Sequence, residues 1–404
     1  MSLLSVYHPL WDQTRKAEDP SRCFEDDSLL LSTDFECGNG HKLRRIDDDF
    51  YELTIEAEPG HHMYSGKGYY FCFGVMNKSN AQRMVRIRIR PLWEPIWAQL
   101  SKHVVLKHRN EWSQLDPSHI HPAGEPAEAI EVELPLPGAV QGNELDNTLF
   151  VSNFHWWPYT EMVDYLGKLR PVGGLRVVEI GRSRQGRPLY AVEFGPDDAP
   201  CWVHAQTPQP SEMGSLACRA LIDYLCSDEP QAVEARSRFK LCFIPMTNPD
   251  GTVHGYAVSN TQGRFPFFEA GGAATGEADV SPESVAVWQY LRHRRPSLFW
   301  EWHSNNWSRR PGHMLLRYRH DLLEDANRRR LWDDIEEGLL SLADTHHGNW
   351  TSRTEGAYQA SMGFQTVTRL GAIACMIKQH DKFPLAASSR HAVACLQTAL
   401  ARWR

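Results

Sequence analysis

The sequence predicts an α/β fold: a mixed, mostly parallel sheet flanked by helices, preceded by a small all-β sandwich domain. Three observations carry this. Up to about residue 150 the chain holds β-type runs separated by turn residues. From about residue 158 strands and helices alternate. The 404 residues also exceed one ordinary domain, so two are expected, at 1–152 and 153–404.

The early strands are expected at 50-FYELTIEAE-58, 69-YYFCFGVMN-77, 84-MVRIRIRPLW-93 and 130-IEVELPL-136. Their alternation or β-branched content fits a pleated, half-buried surface. The turns PGHH, NKSN, LDPSH and PGAVQGN separate them. The spacing at 159-YTEMVDYLGKL-169 then predicts a helix. Strands follow at 175–181, 188–195, 200–205, 240–248, 297–304 and 371–378, with helices at 212–224, 281–293, 321–344 and 385–403. The stretch 271-GGAATGEAD-279 reads as a flexible loop. Such a parallel sheet places its chemistry at the carboxyl ends of the strands.

Composition excludes several classes. A net charge of -7 gives no basic footprint, so no nucleic acid is expected as a partner. There is no apolar run of 18 residues, which argues against a membrane span. The first residues, MSLLSVYHPLWDQTRK, lack a basic stretch followed by an apolar one, so no signal peptide is expected. Nine scattered cysteines without a C-x-x-C pair read as buried reduced thiols of a cytoplasmic protein.

The stretch 207-TPQPSEMGS-215 follows an apolar strand and opens a helix on a carboxylate. Strand, tight turn and helix make a common setting for a metal. Glu212 is suitably placed, but Gln209 stands three residues before it, where a zinc site would want histidine.

With 154-FHWWPYTEMVDYLGKL-169, 179-EIGRSRQGRPLY-190, 246-MTNPDGTVHG-255, 282-PE-283 and 299-FWEWHS-304, the chain resembles the zinc carboxypeptidases of the M14 type. The likeness is greatest to the cytosolic carboxypeptidase subfamily, which carries a β-sandwich before its catalytic domain. The resemblance implies zinc as cofactor and a family site that is incomplete here. Its first two ligands fall on Gln209 and Glu212, and the distant ligand on His303. The family's carboxylate clamp falls on Val258, Phe267 and Phe268, its general base on Lys378, and its substrate-covering tyrosine on Tyr358.

These substitutions have physical consequences. A glutamine amide oxygen is a poor zinc donor. An ammonium cannot take a proton from metal-bound water, and it repels a dication. A Lys378–Glu212 pair would offset the cost of burying that carboxylate without metal. Arg264, Arg309 and Arg310 lie near the clamp positions and are candidates for holding a carboxylate, as is the run 302-WHSNNWSRRPGH-313. His204 is a candidate replacement ligand, and Glu301 or Glu355 a candidate replacement base.

Three functional readings follow. The first is an M14 fold that has lost hydrolysis and binds a peptide or small carboxylate-bearing ligand in the old cleft. The second is an active zinc carboxypeptidase or amidohydrolase with a rearranged metal site. The third is a metal-free enzyme using Lys378 and His303.

Overall fold

The computed structural model describes residues 19–403 except 64, 69, 91–102, 110, 125–128, 141–146, 211–212, 305–311, 343–348 and 354–357. Two sheets occupy the first part of the chain. One has the strand order Cys23–Glu25, Leu29–Ser32, Cys72–Asn77, Thr148–Ser152, Val105–His108, Glu111–Gln114. The other runs His41–Asp47, Phe50–Thr54, Arg83–Arg90, Ala129–Leu136, Ile120–Ala123.

The period-two pattern decides which faces meet. In Arg83–Arg90, Val85, Ile87 and Ile89 are buried, while Met84 and Arg86 look outward. Their cross-strand partners Leu134, Val132 and Ile130 are buried too. Both sets join Leu29, Leu31, Phe73, Val75 and Val151 of the other sheet in one apolar core.

The second part is built on an eight-stranded sheet. Its order is Arg176–Arg182, Pro188–Phe194, Lys240–Ile244, Cys201–Gln206, Leu298–Ser304, Ile373–Gln379, His313–Arg317, Asn349–Arg353. Four of its seven strand pairs are parallel, including the three central ones. The central strands are buried on both faces, which explains why Leu298–Ser304 and Cys201–Gln206 read as continuous buried runs. Helices Gly214–Leu225 and Met362–Leu370 pack onto this sheet, and Leu385–Arg402 packs on Gly214–Leu225. The two parts share one core, in which Phe35, Tyr70 and Phe150 of the first join Trp156, Leu189 and Trp202 of the second.

Several elements depart from the sequence reading. Residues 270–275, expected as loop, form the short helix Ala270–Thr275, closed by Gly276 at a φ of 78°. Its Ala and Gly residues carry no periodic signal, and packing on helix Pro282–Arg294 stabilises it. The helix expected from 321 starts later, at Ala326–Leu340, because Asp325 accepts from Asn327 N at 2.8 Å and caps it there. The edge-side strand His313–Arg317 was not expected; its pairing to Ile373–Gln379 is a tertiary feature. Among the described residues, no helix is long and apolar enough to cross a membrane.

Candidate active-site cleft

The turn after Cys201–Gln206 is sewn to the end of the neighbouring strand. Thr207 donates to the Trp302 carbonyl through both N and Oγ1, each at 2.9 Å. Met213 N donates to Ser304 Oγ at 2.9 Å. A Cβ on Gly214 would stand 2.1 Å from the Trp302 carbonyl oxygen, so only glycine lets the helix begin this close to the sheet. On the turn's other side, the Asn-Pro-Asp-Gly segment packs on it: a Cβ on Gly251 would lie 2.7 Å from Pro210 Cγ. Gln209 is thereby held, buried, at the carboxyl ends of the central strands.

His303 and Lys378 are Cα partners across the parallel pair Leu298–Ser304 and Ile373–Gln379, so their side chains leave the same face of the sheet. His303 is buried, and its Nδ1 lies 2.6 Å from the Ser304 carbonyl oxygen. A carbonyl only accepts, so Nδ1 carries the proton and donates, and the lone pair sits on Nε2. Burial first, then the Lys378 charge, hold the imidazole well below its usual pKa. Glu301, two residues earlier, shares this face. Its carboxyl is pushed up to about 7 by burial, against Tyr318 OH, the Gly363 N–H and the Lys378 charge. Gly363 allows the approach, since a Cβ there would stand 2.7 Å from Glu301 Oε2.

The clamp positions form an apolar wall. Val258 is fully buried. Phe267 and Phe268 pack with Tyr358, whose ring stacks on Phe268 at 6.1 Å and meets Phe267 edge-on at 5.4 Å. Three residues taken from the family pattern thus come together as one aromatic cluster, extended by Phe265. Arg264, expected to face a carboxylate ligand, instead pairs with the protein's own carboxylates, Glu269 and Asp279, the latter at 2.8 Å. Glu212, Arg309, Arg310 and Glu355 lie outside the described residues.

His204 does not join the cleft. It is fully buried in the sheet, stacked on Phe243 at 5.1 Å, and its Nδ1 accepts from Trp302 Nε1 at 3.4 Å. Burial holds its pKa down to about 3. The unfolded chain therefore binds a proton below about pH 6.5 that the folded chain refuses, and stability falls as pH drops from there toward about 3. His204→Phe removes this proton. Its stability relative to wild type, from urea unfolding, is expected to rise by about 1.4 kcal/mol per pH unit between about pH 6 and 4.

Sequence reasoning missed the part played by the first domain. Glu58 is buried and accepts from Ala257 N at 2.6 Å and Ser259 N at 3.0 Å, flanking Val258. Gly60 meets Gly263 backbone to backbone; a Cβ on Gly60 would stand 1.7 Å from the Gly263 carbonyl oxygen. His62 Nε2 reaches Ser259 Oγ at 2.7 Å. The loop before the clamp positions is thus fixed by residues some 200 positions away in sequence. In the sequence reading only the turn 59-PGHH-62 marked this place.

The zinc-ligand positions are described only in part, since Glu212 lies outside the described residues. The described groups at the family's metal and base positions are one imidazole, one neutral amide and one ammonium, whereas catalytic zinc takes three anionic or imidazole ligands plus water. No group of three His, Cys, Asp or Glu side chains suited to a metal occurs among the described residues.

Comparison with known proteins agrees with this architecture. Residues 172–267 match the zinc carboxypeptidase family model. Cytosolic carboxypeptidase 2 of Macaca fascicularis is 22% identical over 263 residues, covering 59% of this chain and 31% of the relative. The human protein of that name is 26% identical over 267 residues, covering 59% and 28%. The chain therefore spans about a third of the length of the curated relatives it matches. The solved metallo-carboxypeptidase of Burkholderia cenocepacia superposes with a TM-score of 0.76 at 15% identity, covering 93% of this chain and 99% of that one. That of Pseudomonas aeruginosa gives 0.70 at 18% identity, covering 92% and 98%. Over residues 172–267 the sequence is similar to the zinc carboxypeptidase family, and over nine-tenths of its length the chain has the fold of solved metallo-carboxypeptidases.

Proposed function

We propose that this chain is a degenerate metallocarboxypeptidase that binds a ligand in the former catalytic cleft and does not hydrolyse it. One observation carries the reading: Lys378 stands in register with His303, so its side chain leaves the sheet on the same face as the family's histidine-ligand position. An ammonium and a dication about 4 Å apart repel by several kcal/mol, even at the effective dielectric near a protein surface. Gln209 offers no charge to offset this. The ligand is a peptide or small carboxylate-bearing molecule, bound against the aromatic wall of Phe267, Phe268 and Tyr358. Nine free cysteines support a reducing, cytoplasmic setting.

The test is hydrolysis. Purified chain, supplied with zinc, is assayed against N-acylated dipeptides with aromatic, aliphatic, acidic or basic C-terminal residues. No turnover above the buffer rate is expected. Turnover that disappears in His303→Ala would overturn the reading in favour of a working, rearranged metal site.

A further inference from the structure

Strand Ile373–Gln379 leaves the sheet into residues 380–384, a strap that leads to helix Leu385–Arg402. The strap is also tied to the first domain, where Gln114 Nε2 donates to the Lys382 carbonyl at 2.8 Å. Pro384, Gln114 and Trp112 line one groove between the two parts of the chain.

Two backbone N–H groups of the strap end on imidazole lone pairs. His380 N donates to His313 Nδ1 at 3.1 Å. Lys382 N donates to His380 Nδ1 at 3.3 Å. A ring nitrogen that accepts carries no proton, so both imidazoles are neutral with the proton on Nε2. A proton added at Nδ1 would turn each acceptor into a donor facing a donor, and both bonds would be lost.

The surroundings oppose that charge. His313 is fully buried and stacks on His391, also fully buried, with ring centroids 3.7 Å apart. Two charged rings at that separation would repel by about 4 kcal/mol at the effective dielectric of a protein site. Phe383 closes over His313 and His380, at 5.2 and 5.3 Å. Burial, then the Lys382 charge, brings the His380 pKa down to about 4. The first domain presents His103 and His155; burial first, then His155, Lys382 and His380, bring His103 down to about 3. Helix Leu385–Arg402 adds Cys395, whose Sγ lies 3.5 Å from His391 Nε2. The strap's own charged residues are Asp381 and Lys382, and Lys378 lies two positions before His380.

We propose that residues 380–384 form an acid-released latch, held closed by the neutral imidazoles of His313 and His380 and opened when those rings take up protons. In the opened strap both rings regain an ordinary affinity for protons. The closed form is therefore fully favoured above about pH 6.5 and loses ground as pH falls below it. Opening frees the Lys382 carbonyl from Gln114 and with it one edge of the groove between the parts.

Hydrogen–deuterium exchange of the full chain, read by mass spectrometry at about pH 7, 6 and 5 and divided by the intrinsic amide rate at each pH, tests the latch. The opening constant of the strap is expected to rise about 100-fold between about pH 6 and 5, roughly tenfold for each ring. Strand Leu298–Ser304 should stay protected throughout. His380→Asn keeps an acceptor for Lys382 N, because an asparagine side chain bonds the backbone N–H two residues on. It removes one titrating ring. Its strap should match wild type at about pH 7 and open about tenfold less between about pH 6 and 5. Should that variant fail to fold, judged by circular dichroism, His313→Asn serves in its place with the same expected result.

A strap whose opening rises less than about threefold over that interval would overturn the latch. So would a folded His380→Asn or His313→Asn chain with the pH dependence of wild type. Loss of protection in Leu298–Ser304 together with the strap would overturn it too, since the whole chain would then be unfolding.

Discussion

Arg187→Met is expected to destabilise the protein by about 3–5 kcal/mol, enough to remove a large part of its folding free energy. Arg187 Nη1 lies 2.7 Å from Asp250 Oδ1, and the two side chains are 5% and 0% exposed. Asp250 is the acid of the Asn-Pro-Asp-Gly segment, and it also accepts from Ser183 Oγ at 2.7 Å and Gln185 N at 2.9 Å. These bonds tie the hairpin of Arg176–Arg182 and Pro188–Phe194 to helix Pro249–His254. Methionine fills much of the arginine's volume, so the loss reports on charge rather than on a void. It leaves a carboxylate buried without its cation, the costly half of a broken ion pair. Urea unfolding measures the effect. A loss below about 1 kcal/mol, the scale of an exposed pair, would show that Asp250 finds water or another cation.

The second large effect concerns the metal. Gln209→His with Lys378→Glu is expected to tighten zinc binding by at least about 100-fold over wild type. The loss of a mere supporting partner already costs about 10–100-fold, and this pair of changes adds a ligand and removes a repelling charge. His303 is positioned to join, because its Nδ1–H is committed to the Ser304 carbonyl and its lone pair is on Nε2. Either single change should gain less than the pair. His303→Ala in the double-variant background should cancel the gain, which separates the cleft from adventitious surface histidines. If the double variant bound zinc no better than wild type, positions 209 and 378 would not be the reason for weak binding.

How much of this was legible beforehand depends on whether a feature is local. The central strands were legible because runs such as 297–304 and 200–205 are rich in apolar residues and bounded by turns. The site positions were legible by counting along motifs, and the sheet register places Lys378 opposite His303. Arg264 was not. Its partners Glu269 and Asp279 lie close in sequence, but nothing in the sequence favours them over a ligand. His204 looked like a spare ligand, since its type was visible and its direction into an aromatic core was not. Glu58 and Gly60 act on residues 257–263 through tertiary contact alone.

The central claim is that an ammonium and an amide have replaced the means of holding a catalytic dication. Zinc affinity of the wild-type chain, measured by competition with a chromophoric chelator, tests it most directly. The account predicts zinc binding too weak to compete, and unchanged by His303→Ala. One equivalent of tightly held zinc, lost on His303→Ala, would contradict it.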